Sequence, residues 1–262
     1  MKTPSPEKVE GFEMDEPPAD FPATRPDGSP LKPITQVLLD RRATVSFASD
    51  EVPAEVLEAI LRFGAQAPSG YNLQPWRFIV VRDRANRARL QRVAFNQAKI
   101  GEAPVVIIAL GLKGSWRKDA ERIFREGARR GAGRLDEVER KVAQAIQDLE
   151  QTRTDVWVTR QTAIALTTMM LVAEAYGFDT VLLEGFDVEG VRREFDIPEE
   201  AEIVGLLAIG RMKGEEKPYP GRLPLREIVF EERYGRPWVG AKREGEPRIK
   251  DDSLKRSANE GD

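Results

Sequence analysis

Two stretches of this 262-residue chain are apolar at nearly every consecutive position, APVVIIALG (103–111) and EIVGLLAIG (202–210). A strand with one wet face alternates apolar and polar side chains, so an unbroken run predicts a strand covered on both faces. WRFIVVR (76–82) and TVLLEG (180–185) read as two further strands. Helical patterns fill the intervals between them. This alternation predicts a three-layer sandwich, a sheet with helices packed against each face.

The helices differ in what they bury. VPAEVLEAILRFGAQA (52–67) carries Val56, Leu57, Ile60 and Leu61 on one stripe, with Pro53 suited to its first turn. ITQVLLDRR (34–42) places Ile34, Val37 and Leu38 on one face, and shorter helices are predicted around 84–95, near Asn96 and over 187–195. Residues 115–151 are helical in pattern and highly charged, so they are expected to be mostly solvated. DVWVTRQTAIALTTMMLVAEAYG (155–177) has little polar face, which predicts burial in a large core or a subunit interface. Eight of the 18 prolines fall in residues 1–33. Residues 1–30 are therefore expected to be an extension without a core of its own, ahead of one domain over 31–238 and a polar tail over 239–262.

Composition narrows the chemistry. The chain has no Cys and no His, which excludes thiol nucleophiles, disulfides, Ser-His-Asp catalysis and imidazole or thiolate metal sites. Any reaction must use carboxylates, Lys, Tyr, Ser or Thr, a hard cation, or a bound organic cofactor. A net charge of -3 gives no global field toward nucleic acid or an anionic membrane. The apolar run at 103–112 is about half the ~20 residues a membrane span needs, and the N-terminus lacks a signal-like apolar core, so a cytoplasmic protein is expected. No G-x-G-x-x-G or P-loop motif occurs, so a nucleotide-like cofactor would need basic side chains for its phosphate.

Several residues could supply that site. Arg41 and Arg42 are a candidate phosphate grip, or simply cations favouring a helix C-terminus; Arg222 in YPGRLPL stands in the same position of doubt between ligand and solvent. The chain has only four Asn, of which Asn96 opens NQAK with Lys99 one turn later and Asn72 sits in APSGYNLQPW. Each suits a turn or a carboxamide contact. Gly185, ending LLEGFD, either terminates a strand or lets a flat ligand approach the backbone. APSGYNLQPW (67–76) sets Pro68, Gly70 and Pro75 around Ser69, Asn72 and Gln74, more control than a plain connection requires.

In order and spacing, RR, APSGYNLQPW, NQAKI, LLEGFD and GRLPL resemble the FMN-dependent nitroreductase family from about Leu31 to Trp238. The resemblance implies an α+β fold, a three-layer α-β-α sandwich working as an intertwined homodimer with FMN at the subunit interface. It implies that Arg41, Arg42, Ala43 and Arg222 lie at the phosphate and ribityl chain, and that Asn96 and Lys99 face the pyrimidine edge. Leu183, Glu184 and Gly185 would present backbone to the central ring. Pro68, Ser69, Gly70 and Asn72 would come from the partner chain, supported by Gln74. FMN would carry hydride from NAD(P)H to a nitroaromatic, quinone or similar acceptor, with no catalytic side chain and no metal. Tyr71, Trp116 and Phe124 are the aromatic candidates for the substrate, with core or surface packing the alternative for the last two.

Three positions depart from the family pattern. Ala43 lacks the hydroxyl, and Val45 the cation, that members usually carry; Pro220 stands where a basic residue is common. These departures leave open a same-fold enzyme with other chemistry (dehalogenation, enal or aldehyde reduction, flavin fragmentation), or a flavin-binding protein with little turnover.

Overall fold

A computed structural model describes residues 14, 20–114, 116–215 and 217–238. Its helices are α1 (Ile34–Asp40), α2 (Ala54–Ala65), α3 (Arg84–Val93), α4 (Ala98–Glu102), α5 (Trp116–Arg129), α6 (Val138–Glu150), α7 (Thr154–Ala175), α8 (Val188–Glu194) and α9 (Leu225–Ile228). The predicted strands β1 (Trp76–Val81), β2 (Val105–Leu112), β3 (Asp179–Leu183) and β4 (Ala201–Gly210) form one sheet in the order β1-β2-β4-β3, every pair antiparallel.

Burial on both faces explains the unbroken apolar runs. Val106, Ile108 and Leu110 of β2 join a core with Leu90 of α3, Ile100 of α4 and Val191 of α8. The alternate residues Val105, Ile107 and Ala109 join Ile60 of α2 with Leu166 and Met169 of α7 on the other face. The three layers are thus α3-α4-α8, sheet, and α2-α7. Opposite the step from Ala109 to Leu110, β4 passes from Gly205 to Ile203 and leaves Val204 as an extra residue. This bulge resets the alternation, so Ala201 and Ile203 face the same core as Leu206 and Ala208. Burying side chains such as Ile107 and Leu206 contributes about 1.5–3 kcal/mol each, which makes the two central strands the most stabilised part of the sheet.

The long helix α7 lies flat on the sheet. Val158, Thr162, Ala165, Leu166, Met169 and Ala173 form its buried face, while Ile164 on the other side is 40% exposed. It packs so closely on α2 that a methyl at Gly64 would overlap Met169 Cγ. By length and composition alone α7 is also long and apolar enough to cross a membrane, but its buried face is taken by the sheet and α2.

One expectation changes, and two gain detail. Only Val37 of the α1 face is buried; Ile34 and Leu38 stand exposed in the single chain. The charged segment 115–151 is mostly open to solvent, as expected, and also encloses a small core in which Trp116, Ala120, Ile123 and Leu149 pack with Leu73. Residues 20–30 also lie on the chain. The Phe21 and Phe63 rings are 4.7 Å apart, and Tyr176 Oη donates to the Pro22 carbonyl at 3.0 Å. The rest of the expected extension, residues 1–13 and 15–19, and the expected tail 239–262 lie outside the described residues.

The chain divides into two units, one ending at Lys217 and one beginning at Pro218. The second holds α9 and a turn closed by Phe230 pairing with Pro237, with the Phe230 and Tyr234 rings 4.7 Å apart.

Candidate functional site

Three of the singled-out segments gather along the β3 edge of the sheet. Ala43 bridges Thr180 in parallel, and the Thr44 amide donates to the Thr180 carbonyl at 3.1 Å, so the strand after Arg41-Arg42 runs beside β3. Glu102, at the end of α4, accepts from Ser46 Oγ at 2.9 Å and from the Phe47 amide at 3.0 Å, which fastens α4 to the same segment. At the start of α4, Gln97 Nε2 donates to the Gly185 carbonyl at 2.7 Å and to the Ala94 carbonyl at 3.1 Å. The Asp187 amide donates to the Val93 carbonyl at 2.8 Å. These contacts tie Asn96-Lys99 to Leu183-Gly185 at the end of β3, and set the segment after Arg41-Arg42 beside the start of the same strand.

Their side chains differ in how far they are committed. Arg42 Nη1 turns back to the Leu39 and Arg41 carbonyls at 2.5 and 3.1 Å, closing the end of α1. Arg41, Asn96 and Lys99 make no side-chain hydrogen bond or ion pair among the described residues. Asn96 and Phe95 are both held at φ 54, a left-handed conformation that Asn tolerates and Phe does not favour. Phe95 stands 67% exposed beside Asn96, so a strained aromatic sits at the mouth of this neighbourhood. Leu183 is buried in the core and only its backbone is available, whereas Glu184 and Gly185 are exposed. Gly185 does not have positive φ, and a Cβ built on it would meet nothing within 4 Å. Neither conformation nor packing within the chain calls for glycine there.

The loop 67–75 lies elsewhere. It enters β1 at Trp76, which pairs with Gly111 near the end of β2. The order β1-β2-β4-β3 puts β1 and β3 three strand spacings apart, roughly 14 Å. One chain therefore does not set Pro68, Ser69, Gly70 and Asn72 against Leu183, Glu184 and Gly185. The loop itself is rigidly built. Tyr71, Asn72 and Gln74 have φ of 56, 56 and 45, three left-handed non-glycine residues within four. Gln161 of α7 accepts from the Gly70 amide at 2.8 Å, and Ser69 Oγ accepts from the Gln74 amide at 3.0 Å. Gln74 Nε2 donates to the Asn72 carbonyl at 3.1 Å. Strain of this kind costs about 1–3 kcal/mol per residue and persists where the surroundings overdetermine it.

Tyr71 and Phe124 line one hollow of about 250 Å³ with Asn72, Ile123 and Lys141. Tyr71 Oη donates to Asp148 Oδ2 of α6, and that bond, with lesser burial, holds the Tyr71 hydroxyl above its ordinary pKa. Trp116 does not reach the hollow. It is fully buried, its ring 5.7 Å from that of Trp157 and its Nε1 donating to the Lys113 carbonyl at 3.2 Å. It belongs to the core under α5, which corrects its place among the substrate aromatics. Arg222, in the second unit, points Nη1 at the Gly221 carbonyl at 2.6 Å and lies 5.5 Å over the Tyr219 ring.

Gln97, Gln161 and Phe95 were missed in the sequence. Gln97 stands inside NQAK, where a second carboxamide beside Asn96 was the available signal. Gln161 and Phe95 carry no local pattern that marks them.

Beyond the site, Lys32 Nζ lies 2.9 Å from Asp40 Oδ2 and 2.5 Å from Glu174 Oε1, tying residues before α1 to α7. Burial raises the Glu174 pKa despite Lys32; Lys32 also stays above its ordinary value, because its two carboxylate partners outweigh its burial.

Comparison with known proteins agrees with this architecture. A family model described as "Nitroreductase family" matches residues 38–211. A Thermus thermophilus protein named NADH dehydrogenase is 35% identical over 193 residues, covering 73% of this chain and 92% of that one. YodC of Bacillus subtilis, named as an NAD(P)H nitroreductase, is 32% identical, covering 73% of this chain and 95% of its own length. A solved chain from Exiguobacterium sibiricum, determined in complex with FMN, superposes with a TM-score of 0.70 at 24% identity, covering 77% of this chain and 98% of that one. With the matched sheet, helices and site segments all present, the chain belongs to the nitroreductase family.

Proposed function

We propose that this chain is an NAD(P)H-dependent oxidoreductase that uses FMN to reduce nitroaromatic, quinone or related acceptors. One observation carries the reading: Asn96 and Lys99, without side-chain partners among the described residues, flank Gln97, which is tied to the open backbone of Gly185, while Arg41, also without a partner, precedes the Ala43 bridge to the other end of β3. An unpaired cation and carboxamide beside an unneeded glycine, with a second unpaired cation at the other end of the strand, suit a flat ligand with a phosphate at one end and a polar edge at the other. FMN fits that donor set.

Bound FMN supplies hydride transfer between NAD(P)H and the acceptor. The chain's part is binding and orientation. Arg41 would hold the phosphate; Arg42, committed to α1, would shape its approach. Asn96 and Lys99 would pair with the pyrimidine edge, where a cation favours negative charge. Gln97 would keep the Glu184-Gly185 backbone still, so that its amides meet the ring at a fixed height.

The missing share of the site would come from a second copy. Pro68, Ser69, Gly70 and Asn72 belong to a loop prebuilt at the opposite edge of the sheet, with Tyr71, Asn72 and Gln74 in left-handed geometry, and the outer side of α7 carries Ile164, 40% exposed. A homodimer through α7 would cover that side and bring the partner's loop to the flavin. Tyr71 with Phe124 would contact the acceptor.

Steady-state kinetics test the reading. With NADH or NADPH and a nitroarene or quinone varied together, double-reciprocal plots are expected to be parallel, as for a donor that leaves before the acceptor binds. No oxidation of either nicotinamide by FMN-loaded protein would sink the proposal.

A further inference from the structure

We propose that a second anion site, distinct from the flavin neighbourhood, lies where β1 ends and β2 begins, and that it takes a phosphorylated ligand of nucleotide size. The cleft has a volume of about 640 Å³, within the range of small-ligand pockets. None of the flavin candidates lines it.

Its charge is uneven. Arg82 and Arg84 at the start of α3, and Lys213 after β4, stand exposed on the rim, and none has a side-chain partner among the described residues. Arg87 forms the wall, its Nη1 pinned to the Gly101 and Ala103 carbonyls at 2.8 and 2.6 Å, so its charge meets only neutral acceptors. Burial, and then the field of Arg84, lower the Arg87 pKa, while Asp83 works against them. The carboxylates nearby are committed or distant in role. Glu102 is taken by Ser46 and Phe47, Asp83 accepts from the Asn86 amide at 2.9 Å, and Glu51 alone faces the cleft as an exposed anion. Phe47, Val52 and Val105 give the floor an apolar surface.

Four cations around one uncommitted carboxylate favour a multiply charged anion, and guanidinium pairs suit phosphate oxygens better than carboxylate alone. The volume exceeds what a bare phosphate fills, and an apolar floor under a cationic rim accommodates a ring attached to a phosphate tail.

The test uses the full chain saturated with FMN, titrated calorimetrically with ADP and, separately, with inorganic pyrophosphate. ADP binding is expected, weakened about tenfold or more by the double substitution Arg82→Ala and Arg84→Ala, because charge-assisted contacts of this kind are lost. Arg41→Ala should leave it unchanged. Both substituted positions are exposed, and retained FMN with an unaltered thermal transition shows that the double variant is folded. No ADP binding, pyrophosphate binding without ADP binding, or loss in Arg41→Ala with none in the double variant would each overturn the proposal. A chain that takes up no FMN is titrated in the same way, so failure of the flavin reading and failure of this one are separate results.

Discussion

Gln97 Nε2 donates to the Gly185 carbonyl across 2.7 Å, joining the turn before α4 to the end of β3. The contact fixes the spacing between the segment bearing Asn96 and Lys99 and the backbone of Leu183-Gly185. Gln97→Ala should therefore speed loss of FMN on dilution several-fold while lowering stability by only about 1 kcal/mol, the net worth of such a bond. Flavin fluorescence after rapid dilution, with a urea titration alongside, separates the two effects.

The two adjacent arginines should behave differently. Arg41 has no side-chain partner among the described residues, so Arg41→Ala should weaken FMN binding about tenfold or more with little change in folding. Arg42 closes the Leu39 and Arg41 carbonyls, so Arg42→Ala should show its main loss in the urea midpoint. Equilibrium dialysis against FMN measures the first.

The loop geometry makes a residue-specific prediction. Asn72 sits at φ 56, where a β-branched side chain collides with its own backbone. Asn72→Val should lower stability by about 1–2 kcal/mol, and Asn72→Gly should lose much less. Equal losses in urea unfolding would show that the side chain, through its contact with Gln74, matters more than the conformation.

Glu174 gives a pH dependence of defined sign. Burial raises its folded pKa, so the folded state binds more protons than the unfolded chain in that range. Its contribution is present below the ordinary carboxylate pKa and declines as pH rises through the folded value. The stability of the native chain relative to Glu174→Gln should therefore fall from about pH 4 toward neutrality. Lys32, also raised, keeps its contribution until pH exceeds its own ordinary value and loses it above that. Chemical denaturation of both chains across pH measures the difference.

Much of the fold was legible because burial leaves a pattern in sequence. The apolar runs in β2 and β4 announced strands covered twice, and the stripe of Val56, Leu57 and Ile60 announced α2. The α5–α6 segment is mostly open to solvent, as its charge predicts; its small core escapes the sequence because its few buried residues, Trp116, Ile123 and Leu149, are diluted by charge along the chain and meet only after the helices fold together. Where residues 20–30 dock is hidden for a related reason. Their prolines look like a linker, yet Phe21 finds Phe63 and Pro22 finds Tyr176, contacts that no local pattern encodes. In the site, spacing and residue type flagged Asn96, Lys99 and Gly185 individually. That Gln97 ties them together is a tertiary fact, and so is the burial that removes Trp116 from the substrate.

The central claim, that this fold holds a redox-active flavin, is tested most directly by the visible spectrum of the FMN-reconstituted protein under anaerobic conditions. Flavin absorption should persist through gel filtration, bleach on addition of NADH or NADPH, and return when a quinone or nitroarene is added. Protein that elutes colourless after incubation with FMN, or that keeps its colour in the presence of both nicotinamides, would contradict the account.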